Sequence, residues 1–557
     1  MESDRLRRAR RFSTACEELA MPLEREDRAR LRDAVEDLWD LVDSIADVEA
    51  PGLHGLADVL PRTYAWANTE NEVATESDAA PPTRQRGISA GPVPPDLHRW
   101  SLHDVSAAMR AKRVSPLDVT EAMLERVRAL DPMLHSYVVL DHDHARTVAR
   151  QMAHELEGDV WRGPLQGVPI GIKDSIPVAG VPCTANSRLL ASWIPRRDAE
   201  AVRRLRHAGA VILGKHNLNE FGWSLPSDAD LVPPPRNPWF PSEPAVGSTS
   251  GGAVAVAAQL CYAAIGTDGG GSVRLPAGQH LLVGIKPTHE RVPRLGSGCG
   301  TVADIGVLAR TALDAAIVLA ALTEPLEAPD PARHARMIHE RSARVTRAPH
   351  TVRLGIPRSY LDQVGMDEDI SAAFDGALTT CRSLGMQVID LPPSSLPHLA
   401  AGVAANFVVL AAEHHAAHRR THAANAERYG ASAGAYALPG GFLNAAAYLD
   451  ALHVRDVLRA EVDAVWQRVD MLVMPTSPVA RTSVARDPAT HRRGGNAAYT
   501  SPFNLTGHPA ASVPIGCTRE GIPIGMQLVA GYDLDFDTLA AAAAIMAAVD
   551  LPPFPFA

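Results

Sequence analysis

Two glycine-rich turns, Gly247-Ser-Thr-Ser-Gly-Gly252 and Gly266-Thr-Asp-Gly-Gly-Gly-Ser-Val-Arg274, constrain what this chain can fold into more than any other feature. Between them, Ala253 to Cys261 has the composition of a helix, and Tyr262 to Thr267 that of a strand. A helix of about ten residues at ~1.5 Å each advances ~15 Å, and a strand of about six at ~3.3 Å returns ~20 Å. If the strand runs antiparallel to the helix, Ser248 and Ser272 come back to the same end of a layer. Such a unit belongs to an α/β architecture.

A third segment, Gly167-Val-Pro-Ile-Gly-Ile-Lys-Asp174, reads as an apolar strand that delivers Lys173 at its end, where side chains of α/β sheets commonly meet ligands. The chain has only four lysines, Lys112, Lys173, Lys215 and Lys286, against 54 Lys and Arg together. A lysine kept in an apolar, glycine-rich setting can do what arginine cannot, which is lose its proton. The three glycines before Ser272 let several N–H groups converge on one spot as an oxyanion hole. Ser272 is then the candidate nucleophile, with Ser248 as relay and Lys173 as the ultimate base. That role needs a neutral Lys173, which burial favours. Each piece alone has a plainer reading: a turn, a helix cap or a solvated lysine.

At 557 residues the chain calls for a large catalytic domain with an appendage. We expect an N-terminal helical module over 1–73, a linker rich in Pro, Gly, Ser and Thr over 74–98, and a catalytic domain over 99–557. The fold class expected is α/β, a mixed central β-sheet sandwiched by helices. A net charge of -10 argues against a nucleic-acid platform. Six scattered cysteines without CxxC spacing suit reduced thiols. The charged start has no signal-peptide core, and no uncharged apolar run of about 18 residues suggests a membrane span, so a cytoplasmic location is expected.

These segments resemble the amidase signature family, whose members use a Ser–cis-Ser–Lys triad. The likeness covers most of residues 99 to 557 and includes Trp161 to Asp174, Leu213-Gly-Lys-His-Asn217, Arg236-Asn-Pro-Trp239, Gly284-Ile-Lys-Pro-Thr288, Phe503-Asn-Leu-Thr-Gly507 and Gly525-Met-Gln-Leu-Val529. It implies Lys173 as base, Ser248 as the serine after a cis peptide, and Ser272 as nucleophile. It further implies backbone donors at Gly269, Gly270 and Gly271, with Asp268, Arg274, Thr249 and Ser250 in support. The family's Gly-Ser-Ser-Gly-Gly is here Gly-Ser-Thr-Ser-Gly, so Ser248 is chosen by its offset of 24 residues from Ser272, with Ser250 as fallback. Lys286-Pro-Thr-His-Glu-Arg291 also departs from the family pattern. No cofactor is implied.

Residues 17 to 72 resemble the small C subunit of the bacterial tRNA-dependent amidotransferase, here fused to its amidase partner. That raises a second reading, glutamine hydrolysis for ammonia. In the amidotransferase, an arginine in the segment that here reads Ala431 to Ala437, and an aspartate near the position of Ala497, hold the glutamine charges. Neither charge is evident in this sequence. A pocket without them would leave a zwitterion unpaired on burial. The expected substrate is therefore a small neutral or singly charged carboxamide, with Trp223 as a candidate lining residue. A homodimer is compatible with the chain.

Two other classes compete with these readings. His414, His418 and His422 share a helical face, and His142 and His144 form a second cluster, a pattern that can bind zinc. The charged neighbours read as a solvated face, and no HExxH motif occurs, so no metal is expected. A catalytically dead scaffold is disfavoured by the intact Lys173, Ser248 and Ser272. The arginine-rich start, Arg5 to Arg11, reads as a solvated helix face.

Overall fold

A computed structural model describes residues 25–45 and 94–556, apart from 224–230, 295, 297–299, 325–330, 347–351, 431–432, 434–437 and 482–494. Eleven strands form one sheet: β1 (Tyr137–Leu140), β2 (Pro169–Lys173), β3 (Val211–His216), β4 (Ala263–Asp268), β5 (Val283–Lys286), β6 (Asp304–Ala309), β7 (Arg353–Ile356), β8 (Gln387–Asp390), β9 (Met471–Pro475), β10 (Ala510–Cys517) and β11 (Pro523–Ala530). Their spatial order is β1-β3-β2-β4-β6-β5-β10-β11-β9-β7-β8. β2 runs parallel to both its neighbours, β3 and β4, whereas β4, β6, β5, β10, β11 and β9 pair antiparallel in turn. The fold is thus a mixed α/β sheet, as expected.

Every residue of β2, β3, β5, β6, β9 and β11 is buried, so both faces of the central sheet are covered. Strands covered on both faces carry unbroken apolar runs, which is how Pro-Ile-Gly-Ile and Met-Gln-Leu-Val read. The edge strands β1 and β8 are the ones left mostly half-buried or exposed. Helix α1 (Arg25–Ile45) lies within the expected N-terminal module. The rest of 1–73, the arginine-rich start and most of the 74–98 segment lie outside the described residues.

Helix α2 (Ser250–Ala257) is eight residues long and wholly buried, and β4 follows it. The 27-residue helix α3 (Leu399–Asn425) packs its Ala404, Ala405, Val408 and Val409 against Leu38 and Ile45 of α1 and against Ala451, Leu452 and Val454 of α4 (Ala445–Val465). The stretch Pro393–Arg428 is long and apolar enough to cross a bilayer, but here much of it is buried against neighbouring helices.

Candidate active site

β2 ends at Lys173, whose side chain is fully buried. Its Nζ donates to Ser248 Oγ at 2.7 Å and to Thr267 Oγ1 at 2.9 Å, with Thr267 O at 3.4 Å. Lys215 and Lys286 are equally buried, but each sits beside a carboxylate: Asp174 at 2.9 Å and Asp304 at 3.5 Å. Burial pushes the Lys286 ammonium down, against the pull of Asp304. Lys112, by contrast, pairs with Asp159 at the surface.

The peptide bond between Gly247 and Ser248 is cis. Thr249 N–H donates to the Ser272 carbonyl at 3.1 Å, which ties the two glycine-rich turns together at one end of the sheet. The helix–strand arithmetic anticipated this meeting, although α2 is shorter than expected. Ser250 opens α2 instead of reaching Lys173, and its buried Oγ has no hydrogen-bond partner among the described residues.

Asp268 and Arg274 are both fully buried and clamp the loop between them. Arg274 Nε and Nη2 donate to Asp268 at 3.0 and 2.9 Å, a two-pronged pair of the strong kind. The remaining Arg274 hydrogen bonds go to Thr500 O at 2.9 Å, Gln527 Oε1 at 2.6 Å and Asn504 Oδ1 at 2.5 Å. Burial alone would raise the Asp268 carboxyl, but Arg274 and the Asn504 amide outweigh it and hold it well below the usual carboxylate range. Asp268 also accepts from the N–H groups of Gly271, Val273 and Arg274 at 2.7, 3.1 and 3.3 Å.

That pattern corrects the expected set of oxyanion donors. The Gly271 N–H is turned inward to Asp268, because a φ of +124° aims it there, and a Cβ at this position would meet Thr500 Oγ1 at 2.3 Å. The N–H groups of Gly269, Gly270 and Ser272 have no hydrogen bond to a described residue and are the ones available to an oxyanion. Two carbonyls are braced from outside: Asn406 Nδ2 donates to Gly269 O at 2.9 Å, and Thr500 Oγ1 to Gly270 O at 2.6 Å.

Above Lys173 and Ser248 lies Gly222, where a Cβ would stand 3.3 Å from Ser248 Oγ and 3.6 Å from Lys173 Nζ. Glu220 anchors this segment by accepting from Ser187 Oγ at 2.5 Å and Gly430 N–H at 2.9 Å. Phe221 and Trp223 flank Gly222. The Phe221 ring lies 4.4 Å from His418 and 5.3 Å from Tyr429, and the Trp223 ring lies 5.9 Å from His414 and 6.1 Å from Phe407.

The histidine face of α3 is therefore not the solvated face that its charged neighbours suggested. Arg419 and Arg420 are exposed, while His414 and His418 turn under the Phe221–Trp223 segment. Burial pushes the His418 imidazole down to about 4, and that of His414 well below its ordinary value. His418 Nδ1 lies 3.0 Å from the Tyr429 hydroxyl. Among the described residues no group of three or more His, Cys, Asp or Glu is arranged to hold a metal ion, and His142 and His144 lie on a separate helix, His142–Glu157.

Sequence reasoning missed Thr267, Asn406, Thr500, Asn504 and Gln527. Asn504 and Gln527 stood inside two of the quoted family segments, which was a signal; Asn406 had none. Trp223 borders the site, and Ala497 belongs to a small apolar cluster with Val246 and Leu275, packed on Phe407.

A buried lysine, two serines and a braced glycine loop meet at one end of a mixed sheet, and comparison with known proteins makes the chain an enzyme of the class that acts on carbon–nitrogen amide bonds. The chain belongs to the amidase family: the family described as Amidase matches residues 118–539. It is 33% identical over 459 residues to the A subunit of Glutamyl-tRNA(Gln) amidotransferase from Myxococcus xanthus (strain DK1622), covering 77% of this chain and 93% of that protein. Among solved structures it is similar to a native peptide amidase from Stenotrophomonas maltophilia (TM-score 0.70, 28% identity, 83% of this chain and 100% of that one). It is also similar to the A subunit of Glutamyl-tRNA(Gln) amidotransferase from Thermotoga maritima (TM-score 0.65, 26% identity, 84% and 100%).

Proposed function

We propose that the protein hydrolyses a small carboxamide through a covalent acyl-serine, with Ser272 as nucleophile, Ser248 as relay and Lys173 as base. The observation that carries this is the 2.7 Å contact from Lys173 Nζ to Ser248 Oγ, next to a turn hydrogen-bonded to Ser272. Ser272 Oγ attacks the carbonyl carbon and passes its proton to Ser248, which hands its own to neutral Lys173. The oxygen that gains charge is met by the N–H groups of Gly269, Gly270 and Ser272, already fixed in direction. The tetrahedral species collapses, the amine leaves with the proton returned through Ser248, and water repeats the relay to release the acid.

Labelling with a fluorophosphonate, followed by mass spectrometry, tests the assignment. Label at Ser272 that is lost in Ser272→Ala, and slowed in Ser248→Ala and Lys173→Ala, supports it. A folded protein labelled elsewhere or not at all refutes it.

A second reading, release of ammonia from glutamine as part of a larger amidotransferase, is favoured by the names of the curated relatives. Against it, Ala497 is uncharged and lies in an apolar cluster with Phe407, and a charged amino group buried without a counter-ion is costly. Comparing kcat/KM for glutamine with that for neutral carboxamides separates the two readings. The N-terminal module would then serve as a cap on α3, or as the docking surface for a further protein.

A further inference from the structure

The imidazole of His216 is fully buried, and the catalytic steps above make no use of it. His216 pairs with Lys173 across the parallel β2–β3 ladder, so the two side chains leave the sheet on the same face. Its ring leans back over Gly171, where a Cβ would meet Cε1 at 2.0 Å, Nε2 at 2.2 Å and Nδ1 at 2.8 Å. Gly171 lies two residues before Lys173 in β2 and faces the same way. The ring also meets α2, since a Cβ built on Gly252 would stand 3.4 Å from Nδ1. Tyr137 closes one edge with its ring centroid 4.5 Å away, and Cys261 Sγ lies 3.9 Å from Nε2.

Hydrogen bonding does not account for this residue. Nδ1 has no partner among the described residues, and a thiol is a weak partner for Nε2. Burial pushes the imidazole down to about 3, so near neutral pH it is uncharged and neither pairs with Lys173 nor repels it. What the ring supplies is thickness. Gly171 leaves a notch in β2, the ring fills it, and Gly252 lets α2 rest against the ring. The two glycines lie two residues from Lys173 and four from Ser248, whose side chains meet at 2.7 Å.

We propose that His216 is a positioning residue whose ring is the spacer between β2 and α2 that keeps Lys173 Nζ and Ser248 Oγ at hydrogen-bond distance for proton transfer. The proposal rests on the acyl-serine reading above and deepens it. A shorter side chain would leave a hole that a close-packed interior partly closes by shifting α2. A side chain at position 171 would drive the ring outward. In either case the relay loses its distance, and a misplacement of about 1 Å can slow a reaction on the order of 100-fold.

The experiment measures kcat and KM on whichever of acetamide, butanamide and benzamide the wild type hydrolyses, with fluorophosphonate labelling of Ser272 and circular dichroism for each variant. His216→Ala is expected to lower kcat about 100-fold with KM within about threefold, because the change falls on the relay and not on the pocket. Gly171→Ala should act likewise from the side of the strand. In Gly171→Ala/His216→Ala the new methyl group occupies space the ring has left, so kcat should lie at least about tenfold above the product of the two single losses. His216→Leu keeps the volume without the nitrogens and is expected to hold kcat within about fivefold of wild type. Phe374→Leu, fully buried on the helix Glu368–Ser383 that packs on the edge strand β8, should lower the urea midpoint and leave kcat alone.

A folded His216→Ala that is labelled at Ser272 and keeps kcat within about threefold of wild type overturns this inference alone. A double variant whose loss is the product of the single losses also overturns it, as does an equal fall of kcat in Phe374→Leu, which would tie kcat to stability. Should His216→Ala fail to fold, His216→Leu carries the test: a kcat as low as that expected for alanine would mean that the nitrogens matter and the volume does not. A wild type that is not labelled at Ser272 overturns the triad reading, and this inference falls with it.

Discussion

The floor and the wall of the site are built on different physics. The floor, from Lys173 through Ser248 to the Asp268–Arg274 pair, is held by directional hydrogen bonds between fully buried groups, five of them from Arg274 alone. The wall, formed by Phe221, Trp223, Phe407, His414 and His418, is held by ring packing at centroid separations of 4.3 to 6.5 Å, and three of its rings come from one helix. Directional bonds tolerate little displacement, whereas ring contacts can slide with small loss. The floor is thus suited to chemistry that needs one geometry, and the wall to a choice of substrate that can vary.

If the division holds, substitutions in the floor should stop turnover and substitutions in the wall should only redirect it. The largest effect is expected for Ser272→Ala, a fall in kcat on the order of 10³-fold or more, since removing a nucleophile removes the covalent route. Steady-state assay of any amide the wild type accepts, with circular dichroism to show folding, checks it. Residual turnover within tenfold of wild type would mean that another group performs the attack.

Next in size is a stability effect. Asp268→Ala leaves the Arg274 guanidinium buried with its main partner gone, and breaking such a pair by removing one member costs about 3–5 kcal/mol. Urea denaturation should show the midpoint falling steeply, while the same measurement on Phe407→Leu in the wall should show a much smaller shift.

The same contrast explains what the sequence could reveal. The two serines of the floor are close in the chain, and the spacing from Ser248 to Ser272 is set by one helix and one strand whose rises are known, so local pattern placed them together. The Arg274 partners Thr500, Asn504 and Gln527 lie more than two hundred residues away and were not legible in local pattern. Lys173 stood out because lysine is scarce. The wall is made from segments nearly two hundred residues apart, Phe221–Trp223 against His414 and His418, and nothing local announces such a meeting. Arg419 and Arg420 pulled the reading of α3 toward solvent, yet they occupy a different arc of the helix from the histidines. The inward turn of the Gly271 N–H was likewise invisible, since it depends on which way Asp268 faces.

Trp223→Ala sharpens the comparison from the side of the wall. Removing the indole strips one ring from the pocket border without touching the hydrogen bonds of the floor. The expected result is a KM raised about tenfold for amides with bulky apolar acyl groups, with kcat nearly kept, the signature of lost uniform binding. Acetamide, too small to reach the ring, should be little affected. A fall in kcat equal for all substrates would show that the wall helps to position the floor.

The smallest effect expected is a pH dependence peculiar to the wall. The folded-state imidazole of His418 is lowered by burial, and secondarily by His422, to about 4 from an ordinary 6.5, and that of His414 is lowered well below its ordinary value, by burial and then by His418 and His415. Between those values the unfolded chain binds more protons than the folded one, so stability rises with pH across the window. The contribution is fully present above pH 6.5 and is lost as pH falls toward 4. In urea titrations at about pH 7, 6, 5 and 4.5 the midpoint should therefore fall more steeply for wild type than for His414→Phe/His418→Phe, which has no imidazole to charge at these two places. Parallel curves would mean that the rings of α3 open to water before they bind protons, and that the wall is looser than its packing distances imply.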